Sequence, residues 1–264
     1  AKKVELTTRH ASQPADGGVR WVSDGEGEYT IESVNHQERG TSITLYLRDE
    51  DKEFAEDFRL RGIISRYSDH ISLPIEMPAQ DKEKQGEWEA VNSGSALWSR
   101  PKNEISEEEY QQFYQSLSYD TEAPLATLHN RVEGNLEYTS LFFIPQKAPF
   151  DLWDREQRHG INLYVRRIFI MDDAKYLMPS FLRFVRGVVD AADLPLNVSR
   201  EFLQNNKDID RIRSASVKKI LSELSRLAEK EPETYAAFWK EFGKVLKEGV
   251  VEDLVELTAP PPRE

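Results

Sequence analysis

The sequence predicts an α/β fold of the α+β kind, in which strands and helices form layers and a helical segment follows. Residues 1–47 are typical of β-structure, and within them 41–47 alternates apolar and polar side chains after an Arg39-Gly40 turn. Residues 210–230 instead repeat apolar side chains at helical spacing. Strands that precede helices in this order favour a layered α/β unit.

Composition restricts the classes of protein to consider. The chain has 264 residues, of which 39% are hydrophobic and 31% charged, which is typical of a folded protein. It contains no cysteine, so disulfides and thiolate metal sites are excluded. The formal net charge of −12 argues against free nucleic acid as the main partner. No apolar run approaches the length that spans a membrane.

The first third of the chain is expected to pass from strands into one helix. Residues 52–69 place Phe54, Phe58 and Ile64 near one helical face, which predicts an amphipathic helix. Residues 78–87 are charged and poor in apolar side chains. This segment is predicted to be a linker or the tip of a hairpin.

The middle of the chain combines a helix start with strand signals. Ser106 and Glu109 have capping-box spacing, which predicts a helix over the residues that follow. Gly134-Asn135 separates two alternating runs and predicts a hairpin whose second strand is 136–144. Residues 162–171 are rich in Val, Ile, Tyr and Phe and are predicted to form one strand.

The last third is expected to be mostly helical. Apolar residues at 179–190 follow Pro179 and predict a helix, and a shorter helix is predicted at 197–206. The amphipathic helix at 210–230 comes next, and Pro232 is placed to begin another.

The segment Asp193-Leu-Pro-Leu-Asn-Val-Ser-Arg-Glu-Phe-Leu-Gln204 is the strongest candidate for a functional site. A proline turn there runs into a predicted helix start that carries Arg200 and Gln204. Side chains four residues apart share one helical face, so both reach the same point. A guanidinium, an amide and the free N–H groups of a helix start would together bind an anion.

Other sites are weaker. The chain has no phosphate-binding loop, no dinucleotide-binding glycine motif and no nucleophile-elbow motif. Asp172-Asp173 is a candidate Mg²⁺ site, although a strand end that leads into a helix also explains it. An arginine cluster forms either a solvated, ion-paired face or an anion-facing surface; its members are Arg155, Arg158, Arg166, Arg167, Arg183, Arg186 and Arg200.

Several segments together resemble the heat-shock protein 90 family of chaperones, in its bacterial form. Two of them are Leu163-Tyr-Val-Arg-Arg-Ile-Phe-Ile-Met-Asp-Asp173 and Asp193-Leu-Pro-Leu-Asn-Val-Ser-Arg-Glu201. The others are 65–74, 96–100, 132–134, 138–141, 144–152 and 184–190, in the family's order. The resemblance covers nearly everything from about residue 20 to residue 253.

The resemblance implies a piece of a longer protein, an interpretation that also fits a chain starting at Ala1 with a strand-like pattern. Residues 1–73 correspond to the end of an N-terminal ATP domain, a remnant of its helix and sheet sandwich. Residues 74–87 correspond to an interdomain linker. Residues 88–253 correspond to an α-β-α layered middle domain, with helices after about 206, and 254–264 to a tail that departs from the family pattern.

The resemblance also implies roles for single residues. Arg200 matches the arginine that reaches the ATP γ-phosphate when the domains close, and Gln204 matches its helper. Thr41 matches a threonine beside the adenine pocket, and Phe169 matches a residue that supports the Arg200 loop. ATP and Mg²⁺ are expected in the full-length protein, whereas this chain alone is expected to bind neither and to be inactive as an ATPase.

The implied function is ATP-dependent protein folding in the cytoplasm during stress. Unfolded or partly folded clients are the expected partners, and Trp98, Phe150, Leu152 and Trp153 are candidates for their apolar contacts. The chain would also meet its own N-terminal ATP domain and dimerise through an absent C-terminal domain, with no role for nucleic acid or membranes. Two alternatives stay open: a self-contained phosphoryl-transfer or metal enzyme that uses Asp172 and Asp173, and a passive protein-interaction module.

Overall fold

In the computed structural model, the chain divides into two compact units, residues 1–63 and residues 64–264. The structure describes residues 1–81, 86–118, 120–149, 152–153, 160–172, 174, 176–195 and 206–252. The division lies within a helix, between Ile63 and Ile64. The domain boundaries expected from the family resemblance stay predictions.

The first unit is built on an antiparallel sheet. Its strands are β1 (Lys3–Arg9), β2 (Gly18–Ser23), β3 (Tyr29–Val34) and β4 (Gly40–Tyr46), in the order β3-β2-β1-β4. The β-structure predicted for residues 1–47 is therefore confirmed, because β1 to β4 all lie within that range. A 3₁₀ segment, Asp49–Ala55, leads to helix α1 (Asp57–Tyr67). Helix α1 is shorter than the predicted 52–69 because its first residues adopt this tighter turn.

The sheet of the first unit has one apolar face that stays open. The pairing register places Leu6 opposite both Trp21 and Ile43, and Trp21 opposite Ile31, so these side chains share a face. None of the hydrophobic side chains of residues 1–63, all of which the structure describes, is fully buried. The opposite face carries a polar pairing in which Arg20 binds Glu5 and Glu32.

The second unit begins with the end of α1 and a short β-ribbon. Strands β5 (Glu76–Pro78) and β6 (Trp88–Ala90) pair antiparallel on either side of residues predicted to be a linker or a hairpin tip. The Asn92 side chain accepts a hydrogen bond from the N–H of Ile75 and donates to the carbonyls of Ile71 and Leu73. These bonds tie the chain before β5 to the chain after β6.

Helix α2 (Glu107–Ser118) begins at the predicted capping box. The Ser106 hydroxyl accepts from the Glu109 N–H, and the Glu109 carboxylate accepts from the Ser106 N–H. The capping-box prediction is confirmed.

The main sheet of the second unit contains β7 (Ala126–Val132), β8 (Tyr138–Ile144), β9 (Ile161–Val165), β10 (Ile168–Met171) and β11 (Arg186–Ala191). Their order is β10-β9-β11-β8-β7. The pairs are antiparallel except for β11 with β9, which run parallel. The hairpin predicted around Gly134-Asn135 is confirmed by the β7–β8 pair.

Two sequence predictions are wrong here. Residues 162–171 form not one strand but β9 and β10, joined by Arg166 and Arg167 with φ of 51° and 65°. Residues 179–190 form not a helix but a 3₁₀ turn, Ser180–Leu182, and then the central strand β11. In β11, Gly187 lies so close to β8 that an added Cβ would come within 2.1 Å of the Leu141 carbonyl oxygen.

Helices α3 (Lys207–Lys230) and α4 (Pro232–Glu252) are the last elements of the described residues and lie close to the predicted positions. They cover one face of the main sheet with a core that includes Phe142, Phe238 and Phe242. Trp98 and helix α2 cover the other face. The second unit is thus an α-β-α layered structure, and the predicted α/β fold is confirmed. No helix within the described residues is both long and apolar enough to cross a membrane.

Candidate functional site

The predicted anion site, with Arg200 and Gln204, lies outside the described residues, as does the short helix predicted at 197–206. The structure does describe both flanks of this segment. On the N-terminal flank, the Asp193 carboxylate accepts from the Glu137 N–H at 2.7 Å, and the Ala192 N–H donates to the Glu137 carbonyl at 3.0 Å. The chain therefore leaves β11 and begins this segment at residues that are hydrogen-bonded to the β7–β8 hairpin.

The C-terminal flank is Asn206, the N-cap of α3. Its side-chain oxygen accepts from the N–H groups of Asp208 at 2.8 Å and Ile209 at 3.3 Å. These two donors of the α3 N-terminus are thus occupied by the chain itself. An anion at α3 would have to displace the cap or use other donors.

A polar cluster lies at the same end of the sheet. Asp190, at the end of β11, accepts from the indole N–H of Trp98 at 2.8 Å and from the Arg167 N–H at 3.1 Å. Arg166 donates from Nε to the Ala192 carbonyl at 3.1 Å. These bonds hold the β9–β10 turn in the left-handed backbone conformation, which arginine otherwise disfavours.

This cluster borders a cleft of about 400 Å³ whose lining includes Ser72, Ser99, Arg131, Glu137 and Arg167. Arg131 is paired with Glu133 at 3.0 Å. Both cations and carboxylates line the cleft, so its charge is mixed. The sequence patterns did not predict this cleft, although Ser72, Ser99 and Asp190 each lie within a segment that carries the family resemblance.

Phe169 lies in β10, between two other aromatic rings. Its centroid is 5.6 Å from those of Tyr67 and Tyr164, both in edge-to-face geometry. Burial raises the pKa of Tyr164 to about 12, so this ring stays protonated near neutral pH. Because the loop that Phe169 would support lies outside the described residues, that role stays a prediction.

The candidates for client contacts separate into buried and exposed residues. Trp98 is only 1% exposed and Leu152 3%, so the prediction that they offer apolar surface is wrong for both. Trp98 packs against Phe113, Tyr164 and His70. Trp153 is 49% exposed and can contact another chain, whereas Phe150 lies outside the described residues.

Next to Trp98, a series of hydrogen bonds runs through the buried His129. His129 contacts the Trp98 carbonyl through Nε2 at 2.8 Å and the Tyr110 hydroxyl through Nδ1 at 2.7 Å. A neutral ring that donates from Nε2 and accepts at Nδ1 satisfies both bonds. Burial lowers the pKa of His129, while the bond to Trp98 opposes that shift. This histidine stabilises the core rather than an open site.

Thr41 lies in the exposed strand β4 of the first unit. Its hydroxyl is 2.8 Å from that of Thr8, which also donates to the Gly40 carbonyl. Both threonines line a cleft of about 810 Å³, together with Arg9, His10 and Arg39. The adenine contact predicted for Thr41 is not tested by this arrangement.

The arginine cluster is partly ion-paired and partly outside the described residues. Arg183 binds Glu248, and Arg186 donates to the Arg183 carbonyl. Arg155 and Arg158 lie outside the described residues, and so does Asp173. Asp172 is 3.6 Å from Arg66, and no group of three or more His, Asp or Glu side chains within the described ranges could hold a metal ion.

Comparison with known proteins gives a consistent result. Residues 78–258 match the family model described as Hsp90 protein. The chain is 58% identical to "Chaperone protein HtpG" of Nitrosococcus oceani and 55% identical to the protein of that name from Hydrogenovibrio crunogenus. The corresponding Chromobacterium violaceum protein is also 58% identical. Each match covers 96% of this chain and 41% of the relative, so the chain spans about two fifths of their length.

Proposed function

Because this chain belongs to the heat-shock protein 90 family, we propose that it is part of an ATP-dependent molecular chaperone and supplies the middle-domain half of its ATPase site. The observation that carries the proposal is the identity of 55–58% over 96% of the chain to proteins named as chaperones. The segment 193–204 lies within the range matched by the family model.

In this proposal, Arg200 contacts the γ-phosphate of ATP, and Gln204 assists it from the same segment. Phosphoryl transfer needs positive charge on the oxygens of the transferred group, and a guanidinium supplies it with two parallel hydrogen bonds. An arginine on a second domain reaches the phosphate only after domain closure, which couples hydrolysis to movement. The anchoring of both flanks, at Asp193 and Asn206, supports a segment with fixed end points.

ATP and Mg²⁺ would be held mainly by the N-terminal ATP domain, to which Thr41 would add one hydroxyl near the adenine. The hydroxyl and guanidinium groups that line the cleft beside Thr41 support this minor role. The 264 residues alone are therefore expected to bind ATP-Mg²⁺ weakly and to turn it over at no measurable rate.

The decisive experiment uses a chimera in which these 264 residues replace the matching segment of the Nitrosococcus oceani relative. Arg200→Ala should lower its ATPase kcat by about 10³–10⁵, the range measured for arginine fingers, and change nucleotide affinity less. Arg200→Lys should restore only part of the rate, because an ammonium does not bind in a bidentate manner. The control is Lys207→Ala, which removes an exposed cation from the start of α3.

Unchanged ATPase in Arg200→Ala would instead favour a passive interaction module. A separate titration of the unmodified chain with ATP-Mg²⁺ addresses the other alternative. Micromolar binding or turnover by the chain alone would favour a self-contained phosphoryl-transfer enzyme over the present proposal.

We further propose that unfolded or partly folded proteins are the clients, and that the exposed indole of Trp153 is one of their contacts. Exposed aromatic rings beside charged groups suit weak, broad recognition of unfolded chains. In the whole protein, the expected partners are its own N-terminal ATP domain and a second copy bound through a C-terminal domain. The expected setting is the cytoplasm, without nucleic acid or membranes.

A further inference from the structure

Helix α4 presents cations on a face that is not used for packing. Lys240, Lys244 and Lys247 are exposed and follow one another at intervals of four and three residues, so they share one face. Within the described residues, none of the three forms an ion pair. Such a row is unusual in a chain whose formal net charge is −12.

The acidic side chains closest in sequence to these lysines form hydrogen bonds with other groups. The Glu241 carboxylate accepts from the Ala148 N–H at 3.2 Å. Glu248 binds the guanidinium of Arg183 through both oxygens, at 2.8 and 3.1 Å. Both carboxylates thus bind groups outside the lysine row, and within the described residues neither of them forms an ion pair with it.

Two tryptophans flank the row. Lys244 Nζ lies 4.9 Å from the ring centroid of Trp153, and Lys247 Nζ lies 5.4 Å from that of Trp239. Both distances are within the range of a cation–π interaction. Trp239 lies flat on its own helix because Gly243 has no Cβ, which would come within 2.9 Å of the indole. We call these five residues, Trp153, Trp239, Lys240, Lys244 and Lys247, the lysine–tryptophan surface.

The position of Trp153 in this surface is fixed by a buried arginine. Arg183, with a side chain 6% exposed, donates to the Leu152 carbonyl at 2.7 Å and to the Ser180 carbonyl at 3.0 Å while it binds Glu248 of α4. Leu152 is itself buried. Arg183 thereby holds the Leu152–Trp153 turn against α4. The lysine–tryptophan surface is therefore formed by both the turn and the helix.

We infer that the lysine–tryptophan surface binds an extended polypeptide segment in which acidic residues alternate with apolar ones. The inference rests on the proposed binding of client chains and specifies their chemistry. The rise of α4 separates successive lysines by about 4.5–6 Å along the axis. Alternate residues of an extended chain are about 6.6 Å apart, so carboxylates at i, i+2 and i+4 can each meet one lysine. The apolar side chains between them project to the other side of the extended backbone, so a peptide that lies along one edge of the lysine row can turn them towards an indole.

A lipid surface fits these residues less well. An interfacial helix needs a broad apolar face to enter the headgroup region. The apolar face of α4 is turned into the core of the second unit, where Tyr235, Phe238, Phe242 and Val245 are buried. The outward face offers lysines with two partly exposed indoles, which suits a peptide better than a bilayer.

The test measures fluorescence anisotropy of a labelled, unstructured dodecapeptide that alternates Glu with Leu and Phe, added to the 264-residue chain. The reference peptide has Gln in place of every Glu. The acidic peptide should bind about tenfold more tightly at low salt, and the advantage should shrink as salt is added. The triple variant K240Q/K244Q/K247Q should lose this advantage, and Trp153→Ala should weaken both peptides.

The matched control is K207Q/K218Q/K219Q, which removes three exposed lysines of α3 and changes the net charge equally. It should keep the tenfold advantage. Equal losses in the two triple variants, or no preference for the acidic peptide, would overturn the inference. Binding to phosphatidylglycerol vesicles or to single-stranded DNA that depends on the same three lysines, without peptide binding, would overturn it too.

Failure of this inference can be distinguished from failure of the proposed ATPase role. Failure of the Arg200 variant to affect the chimera's ATPase, with charge-selective peptide binding intact, would count against the proposed ATPase role alone. Normal ATPase behaviour with no charge selectivity would count against the lysine–tryptophan surface alone.

Discussion

The two units of this chain contain sheets of similar size that are stabilised in different ways. In the first unit, the sheet keeps an apolar face open, and Ile31, Ile43 and Leu45 are each more than half exposed. In the second unit, the sheet is covered on both faces, and Leu141, Phe142 and Phe143 of β8 are almost fully buried. In both sheets every strand is hydrogen-bonded to its neighbour, so the contrast shows mainly what side-chain burial adds to a β-ladder.

We conclude that the stability of the second unit rests on its core, while the first unit has little apolar burial of its own. Unfolding should therefore occur in two separable transitions, and no single free energy of unfolding describes the chain.

The largest expected effect is that of a cavity in the second unit. Phe142→Ala should lower its free energy of unfolding by about 3–5 kcal/mol, because the lost burial is accompanied by an unfilled cavity. The matched change in the first unit, Ile31→Ala at a side chain 62% exposed, should cost about 0.5 kcal/mol or less. Urea denaturation followed by hydrogen exchange, which reports each unit separately, measures both. Similar losses in the two units would break the contrast.

Replacement of Arg183, which binds Glu248 of α4, should have the next largest effect. Arg183→Met leaves the Glu248 carboxylate partly buried without its cation, which should cost about 3 kcal/mol in the second unit. The double variant Arg183→Met/Glu248→Met removes both charges and should recover much of the loss. A double variant as unstable as the single one would show that the carbonyl bonds of Arg183, rather than its charge pair, carry the effect.

The cap of α3 should contribute less. Asn206→Ala deprives the Asp208 and Ile209 N–H groups of their acceptor and should cost about 1 kcal/mol, measured by thermal unfolding of the second unit. Asn206→Asp keeps an acceptor oxygen and should stay close to the parent protein. A loss as large in the Asp variant as in the Ala variant would rule out the capping explanation.

The buried His129 should make the stability of the second unit depend on pH. Burial lowers the pKa of His129, so below its usual value of 6.5 the unfolded chain takes up a proton that the folded unit does not. The free energy of unfolding should therefore fall as the pH drops below 6.5, until the folded ring is protonated as well. His129→Gln should flatten the curve between pH 7 and pH 5, as measured by urea denaturation of the second unit at each pH.

The sequence was informative where local chemistry decides the structure. The capping box at Ser106 and Glu109, the β7–β8 hairpin and the two long helices follow from short-range patterns, and the structure confirms them. The resemblance to the family was likewise readable from the motifs and is supported by the comparisons.

Sequence patterns gave wrong predictions where contacts between distant parts of the chain determine the structure. Val188 and Val189 are buried in the cores on opposite faces of β11, and consecutive apolar residues of this kind have no period that separates a strand from a helix. The β9–β10 turn was missed because Arg166 and Arg167 adopt left-handed backbone angles that usually mark Gly or Asn. Trp98 was misplaced as an exposed contact because its indole partner, Asp190, is 92 residues away in the chain.

The placement of β11 has a consequence for the rate at which the second unit folds. The hairpins β7–β8 and β9–β10 can each form from neighbouring residues, but β11 must insert between them and pair with both. Its pairings close long loops, which is slow compared with hairpin formation. We expect β11 insertion to limit refolding, with Gly187 as the position at which any side chain would block the final approach to β8.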